Sequence, residues 1–160
     1  MIGVMADSHD NLHAVKKAVQ LFNDAGCDLV IHAGDFVAPF AARELENLNC
    51  PVKAVFGNCD GEKKGLEKAI SPFGEIKEAP LTFTHDNRHF LVTHIHTSIK
   101  TYIRSKKHDV IIFAHTHKPE IRKDGKILIL NPGETGGWVS GKSTVALLDT
   151  ETLSAEIIPL

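Results

Sequence analysis

At 160 residues, 42% of them hydrophobic and 24% charged, the chain has material for one folded domain spanning 1–160 and too little for two ordinary ones. That balance excludes a disordered chain. A net charge of −2, with only the scattered basic doublets Lys16-Lys17, Lys63-Lys64 and Lys106-Lys107, argues against an extended nucleic-acid partner.

The opening run Ile2–Ala6 is short and apolar, fits a buried strand, and meets Asp7 at once. It is too short for a signal peptide and lacks a basic leader. Asp10 or Asn11 is placed to cap a helix over 12–25, whose Leu12, Val15, Val19 and Phe22 recur at spacings of three and four, with Gly26 as its stop. Leu29–Ile31 form a second strand ending in Gly34-Asp35. A helix is predicted over 39–47, with Pro39 in its first turn. Val52–Phe56 form a third strand ending in Gly57-Asn58-Cys59-Asp60, followed by a helix over 62–71. These strands are apolar along their length, which predicts parallel strands covered by helices.

The second half has a different rhythm. Strands are predicted over 81–84, 89–93, 110–114, 127–130, 144–148 and 155–158, with a helix over 97–107 and tight turns at Asp86-Asn87 and Asp124-Gly125. A mixed or antiparallel second sheet satisfies this half. The fold expected is α/β, a two-sheet β-sandwich flanked by helices in αββα layers. Residues 136–143 match the spacing GxxxxGK[ST], but a strand pattern follows where a phosphate-binding loop needs a helix. They are predicted to be a glycine-rich hairpin loop near the site.

Polar clusters follow six apolar strands: Asp7-Ser8-His9, Gly34-Asp35, Gly57-Asn58, His94-Ile95-His96, His115-Thr116-His117 and Asn131-Pro132-Gly133. Sites of open α/β sheets lie beyond the carboxyl ends of strands. A single histidine after a strand is more often a satisfied polar residue than a ligand; six clusters at the same kind of position are not readily accidental. Carboxylate and imidazole donors suit first-row divalent cations without any thiolate set. The remaining histidines, His13, His32, His85, His89 and His108, are assigned structural or surface roles, with support of the site open to His32. Cys27, Cys50 and Cys59 lack staple-like spacing, which predicts a reducing, cytoplasmic compartment. No run approaches the length of a membrane span.

In this order, these stretches resemble the calcineurin-like metallophosphoesterases, and in particular their small single-domain prokaryotic phosphodiesterase branch. The resemblance implies one metal on Asp7, His9, Asp35 and His117, and a second on Asp35, Asn58, His94 and His115, with Asp35 bridging. It implies hydrolysis of a small phosphate ester, most of all a phosphodiester, by a hydroxide bridging two divalent ions. Mn2+ is favoured; Ni2+, Fe2+, Co2+ and Zn2+ suit the same donors. Asp35, Asn58 and His96 are the catalytic candidates, His96 as proton donor or supporting group. Asn131 is a candidate for orienting the histidine cluster.

Two carboxylates against two divalent ions leave a centre of +2, which draws a phosphate ester despite the acidic chain. Two positions depart from the wider pattern. Cys59 follows Asn58 where some relatives place histidine; the small branch commonly has cysteine there, which leaves the general acid unassigned. Ala114 precedes His115 where glycine is usual, which matters only if that position needs positive φ. A homo-oligomer is allowed. The competing expectation is a weakly active or inactive protein-binding scaffold of the same fold, as in the retromer subunit it also resembles. All seven ligand positions being filled favours chemistry.

Overall fold

The computed structural model describes residues 1–160. In chain order the elements are β1 (Ile2–Met5), α1 (Leu12–Asp24), β2 (Leu29–His32), α2 (Pro39–Ala42), β3 (Val52–Val55), α3 (Lys63–Ile70), β4 (Gly74–Lys77), β5 (Leu81–His85), β6 (Arg88–Val92), α4 (Ile99–Ser105), β7 (Val110–Ile112), β8 (Glu120–Asp124), β9 (Ile127–Asn131), β10 (Thr144–Asp149) and β11 (Ser154–Pro159). Short 3-10 turns extend α2 over Arg43–Asn47 and precede α4 over His96–Ser98. Asn11 caps α1 by accepting Ala14 N–H at 3.2 Å, and Gly26 leaves the helix at φ 64°.

One sheet has the order β11-β10-β1-β2-β3-β4 and the other β5-β6-β7-β9-β8. Strands β1 to β4 run parallel, as do β6, β7 and β9. Alternation on β1 shows how the layers form. Ile2, Val4 and Ala6 point between the sheets, where they meet Phe90, Val92, Val110, Ile112, Leu128 and Leu130. Met5 points the other way, with Val15, Val19 and Phe22 of α1 and Leu66 and Ile70 of α3. The outer face of the second sheet is closed by Ile99 of α4 on Leu91, Ile111 and Ile129. Each large side chain fully buried in these layers contributes about 1.5–3 kcal/mol. The layers are therefore helix, sheet, sheet, helix.

The division by halves of the chain needs correction. β10 and β11 belong to the first sheet, where β10 pairs antiparallel with β1 through Ile2↔Leu148 and Val4↔Ala146. The second sheet is mixed, with antiparallel edges β5 and β8. Strands β4 and β8 were absent from the sequence reading. β8 is exposed along its whole length and β4 buries only Ile76, so neither carries an apolar pattern. The 136–143 stretch is not a hairpin, because β9 and β10 lie in different sheets. No helix is long and apolar enough to cross a membrane.

Candidate metal centre

Parallel direction aims the carboxyl ends of β1, β2, β3, β6, β7 and β9 at one pole. The side chains of Asp7, His9, Asp35, Asn58, His94, His115 and His117 come together there. Asp7, His9 and His117 form one group of three and Asp35, His94 and His115 another, each with donor atoms within 4.8 Å of one another. The groups adjoin: His9 Nε2 is 3.6 Å from Asp35 Oδ2, and His94 Nε2 is 3.9 Å from Asp7 Oδ1. His96 stands at the exposed rim, its ring 6.1 Å from that of His115.

Turns, not continued extension, aim these side chains inward. Asp7, His9, Asp35, His115 and His117 all have positive φ, between 40° and 70°, as does β-branched Val37 at 85°. Such backbone persists only where its surroundings over-determine it, and it collects at functional sites. Ala114 is not among the positive-φ residues, so its methyl group brings no such strain. Two glycines make room. A Cβ on Gly57 would lie 2.1 Å from Asp35 Oδ1, and one on Gly34, at φ 97°, would lie 2.8 Å from His94 Nδ1.

The hydrogen bonds behind the cluster set where its protons sit. His94 Nδ1 donates to Ala33 O at 2.8 Å, so the neutral ring turns the lone pair of Nε2 inward, 3.0 Å from Asn58 Oδ1 and 3.3 Å from Asp35 Oδ2. His117 Nδ1 donates to Glu134 Oε2 at 2.9 Å, turning its Nε2 toward Asp7 Oδ1 at 3.7 Å. Asp35 Oδ1 accepts Cys59 N–H at 2.8 Å, which leaves Oδ2 for the centre. Asp7 Oδ2 accepts His115 N–H at 3.2 Å, while Asp7 Oδ1 and His9 Nε2 are buried without any partner. Acceptors thus face acceptors across gaps of 3–4 Å. Buried polar atoms are rarely left so, and a cation between them satisfies all at once.

Electrostatics separates the two carboxylates. Burial pushes Asp7 up to about 6, against the pull of His94 and His117. Burial acts in the same sense on Asp35, but the adjacent His94 imidazole and the hydrogen bond from Cys59 N–H outweigh it and hold that carboxyl far below the ordinary range. Burial and the nearby Asp35 push the Cys59 thiol up to about 11, so in the absence of a cation it is protonated at neutral pH.

Several supporting residues had no role assigned from sequence. Glu134, almost fully buried, is drawn down to about 2: hydrogen bonds from Ser140, His117 and Val139 outweigh its burial. Asp60 accepts the N–H groups of Asp35 at 3.0 Å, Gly57 at 2.8 Å and Val37 at 2.8 Å, fastening the β2 and β3 tips together. Asp60 stood in the Gly57–Asp60 motif, and Glu134 directly after Pro132-Gly133; buried acids beside a motif were the available signal. His32 supports the site from beneath. Its Nδ1 accepts Gly34 N–H at 3.2 Å, so Nε2 carries the proton toward Ser8 Oγ at 3.1 Å. Asn131 does not contact the histidines. Its Nδ2 donates to Thr116 Oγ1 at 3.0 Å, which steadies the His115–His117 turn. Two of the arginines are engaged elsewhere: Arg88 binds the carbonyls of Thr150 and Glu151, and Arg122 pairs with Glu120.

Comparison with known proteins agrees with this geometry. A family model described as the calcineurin-like phosphoesterase superfamily domain matches residues 1–153. The chain is 38% identical over 154 residues to phosphodiesterase MJ0936 of Methanocaldococcus jannaschii, covering 94% of this chain and 93% of that protein. It is 35% identical over 164 residues to a probable metallophosphoesterase of Methanothermobacter thermautotrophicus, covering 99% and 91%. A solved structure of an archaeal phosphodiesterase superposes with a TM-score of 0.95 at 36% identity, covering 99% of each chain. With that match along nearly its whole length, the chain belongs to the calcineurin-like phosphoesterase superfamily and is a metal-dependent phosphoesterase.

Proposed function

We propose that the chain hydrolyses phosphodiesters with two divalent cations, one on Asp7, His9, Asp35 and His117 and the other on Asp35, Asn58, His94 and His115. The observation that carries this assignment is the convergence of Asp7 Oδ1, His9 Nε2, Asp35 Oδ2, Asn58 Oδ1 and His94 Nε2, of which Asp7 Oδ1 and His9 Nε2 are buried without a hydrogen-bond partner. Mn2+ is our favoured ion, and the nitrogen and oxygen donors also accept Ni2+, Fe2+, Co2+ or Zn2+. When bound, such ions lower the pKa of water and polarise the phosphoryl group.

The residues divide the remaining work. Asp35, held ionised by the N–H of Cys59, is shared between the two groups of ligands. Asn58 directs Oδ1 inward while its Nδ2 donates to Cys59 Sγ at 3.3 Å. Glu134 and Ala33 O fix the Nδ1 protons of His117 and His94, so that neither ring can turn its lone pair away. His96, at the rim, is the group we assign to carry a proton to the departing oxygen. Diesters are favoured because a single negative charge needs no arginine clamp, and Arg88 and Arg122 are engaged with other partners. The three cysteines are unpaired, in keeping with a reducing cytoplasm.

A turnover screen of phosphomonoesters and phosphodiesters, with and without added Mn2+, tests this. Metal-dependent turnover that favours diesters is expected. Metal binding without turnover across the panel would instead favour a scaffold.

A further inference from the structure

We propose that the exposed indole of Trp138 is a platform on which a planar ring esterified to the phosphate stacks, so that the preferred diesters carry an aromatic group. This rests on the phosphodiesterase assignment above and names the substrate class of the same site.

Trp138 is the only tryptophan of the chain, and it is 65% exposed. Its exposure is not that of a loose side chain. The indole Nε1–H donates to the carbonyl of His9 at 3.0 Å, which pins the polar edge beside a proposed ligand. The loop beneath it is fastened at several points. Gly136 N–H donates to Asp7 O at 3.0 Å, and Asn11 Nδ2 donates to Gly136 O at 2.7 Å. Glu134 accepts the N–H groups of Val139 and Ser140 with the same carboxylate that orients His117. Gly136 is required here, since a Cβ would lie 2.9 Å from Ser8 O and 3.1 Å from Trp138 Cδ1.

With its one donor satisfied, the indole offers solvent a fixed apolar π surface. Val139, 75% exposed, extends it. The clefts of about 630 Å³ have their walls elsewhere, one around Arg104, His108 and Lys126 and the other around Asp28, Asp86 and Glu151. With these clefts elsewhere, the indole fixed beside His9 is the side chain placed to meet the organic part of a substrate. Fixed aromatic rings bind planar rings by stacking, largely irrespective of ring identity.

The test compares diphenyl phosphate with dicyclohexyl phosphate, which is similar in size and charge but not planar. Each is used as an inhibitor of bis(4-nitrophenyl) phosphate hydrolysis by the Mn2+-loaded enzyme. Diphenyl phosphate is expected to bind about tenfold more tightly, and to change the emission of the single tryptophan with the same midpoint. In Trp138→Ala that preference should fall to about twofold or less, and in Trp138→Phe most of it should return, which a merely structural role of the loop would not produce. A dinucleoside monophosphate added to the panel tells whether a nucleobase stacks as well as a phenyl ring. An equal preference in wild type and Trp138→Ala, or an emission blind to diphenyl phosphate, overturns the platform while the metal site stands. If metal binds and bis(4-nitrophenyl) phosphate is not hydrolysed, the substrate class itself is wrong and the platform falls with it.

Discussion

Asp28, His85 and Asp86 gather at the N-terminal ends of the parallel strands, while Asp7, His9, Asp35, His94, His115 and His117 gather at the C-terminal ends. The first set, and each of the two triplets Asp7, His9, His117 and Asp35, His94, His115 in the second, bring carboxylate and imidazole atoms within 4.8 Å of one another. Their surroundings differ. In the first set the N-terminal ammonium sits 3.2 Å from Asp28, His85 Nε2 is 3.3 Å from the other Asp28 oxygen, and Asp86 accepts Thr150 Oγ1 at 2.8 Å. Donors already meet acceptors, in water, where such pairs contribute about 0–1 kcal/mol. In the second set acceptors face acceptors, and Asp7 Oδ1 and His9 Nε2 have no partner at all. Residue type and proximity are common to both poles. What distinguishes the strand tips is a cluster in which two buried atoms lack partners while the Nδ1 protons of His94 and His117 are already committed to Ala33 O and Glu134.

Changing the shared carboxylate should have the largest effect. Asp35→Asn removes one charge and puts an amide among atoms that need a cation, and we expect turnover to fall by about 10³-fold or more while circular dichroism stays native. Full metal-dependent activity in this variant would erase the distinction between the poles. Glu134→Gln sharpens it, because the side chain stays while the charge behind His117 is lost. Isothermal titration with Mn2+ should show affinity reduced about 10–100-fold; an unchanged affinity would make Glu134 a loop fastener only.

A smaller effect concerns stability. Burial, reinforced by His94, pushes His32 down to about 3 from an ordinary 6.5. Between those values the unfolded chain binds more protons at this residue than the folded one. Its contribution to stability is therefore complete above pH 6.5 and lost as pH falls toward 3, by at most about 1.4 kcal/mol per pH unit. Urea unfolding of the metal-free protein should show that slope reduced in His32→Gln between pH 6.5 and 4.5. Equal slopes would show that His32 is not the buried neutral base described. At the other pole, Asp28→Asn with His85→Ala should leave Mn2+ stoichiometry and affinity unchanged within about twofold. A lost ion there would refute the contrast directly.

Much of this was legible in sequence for a local reason. An apolar strand and the polar residues at its tip are neighbours along the chain, so Ile2–Met5 followed by Asp7 and His9 announces both core and site. The β1–β10 pairing was not legible, because it joins residues nearly the whole chain apart and either sheet offers apolar neighbours. Strand β8, Glu120–Asp124, is solvated on both faces and has no pattern to read. Glu134 and Asp60 were passed over because a buried acid looks like a surface acid until its N–H donors are known. The tautomers of His94 and His117, on which the centre turns, depend on carbonyl and carboxylate partners that only the fold brings near.

The most direct measurement is the metal content of the purified chain after equilibration with Mn2+ and removal of free ion, compared with that of Asp35→Asn. Two ions per wild-type chain, with a clear loss in the variant, is the expected result. A wild-type chain that retains no ion, or a variant that retains both as tightly, would contradict the claim that these strand tips form a two-cation centre.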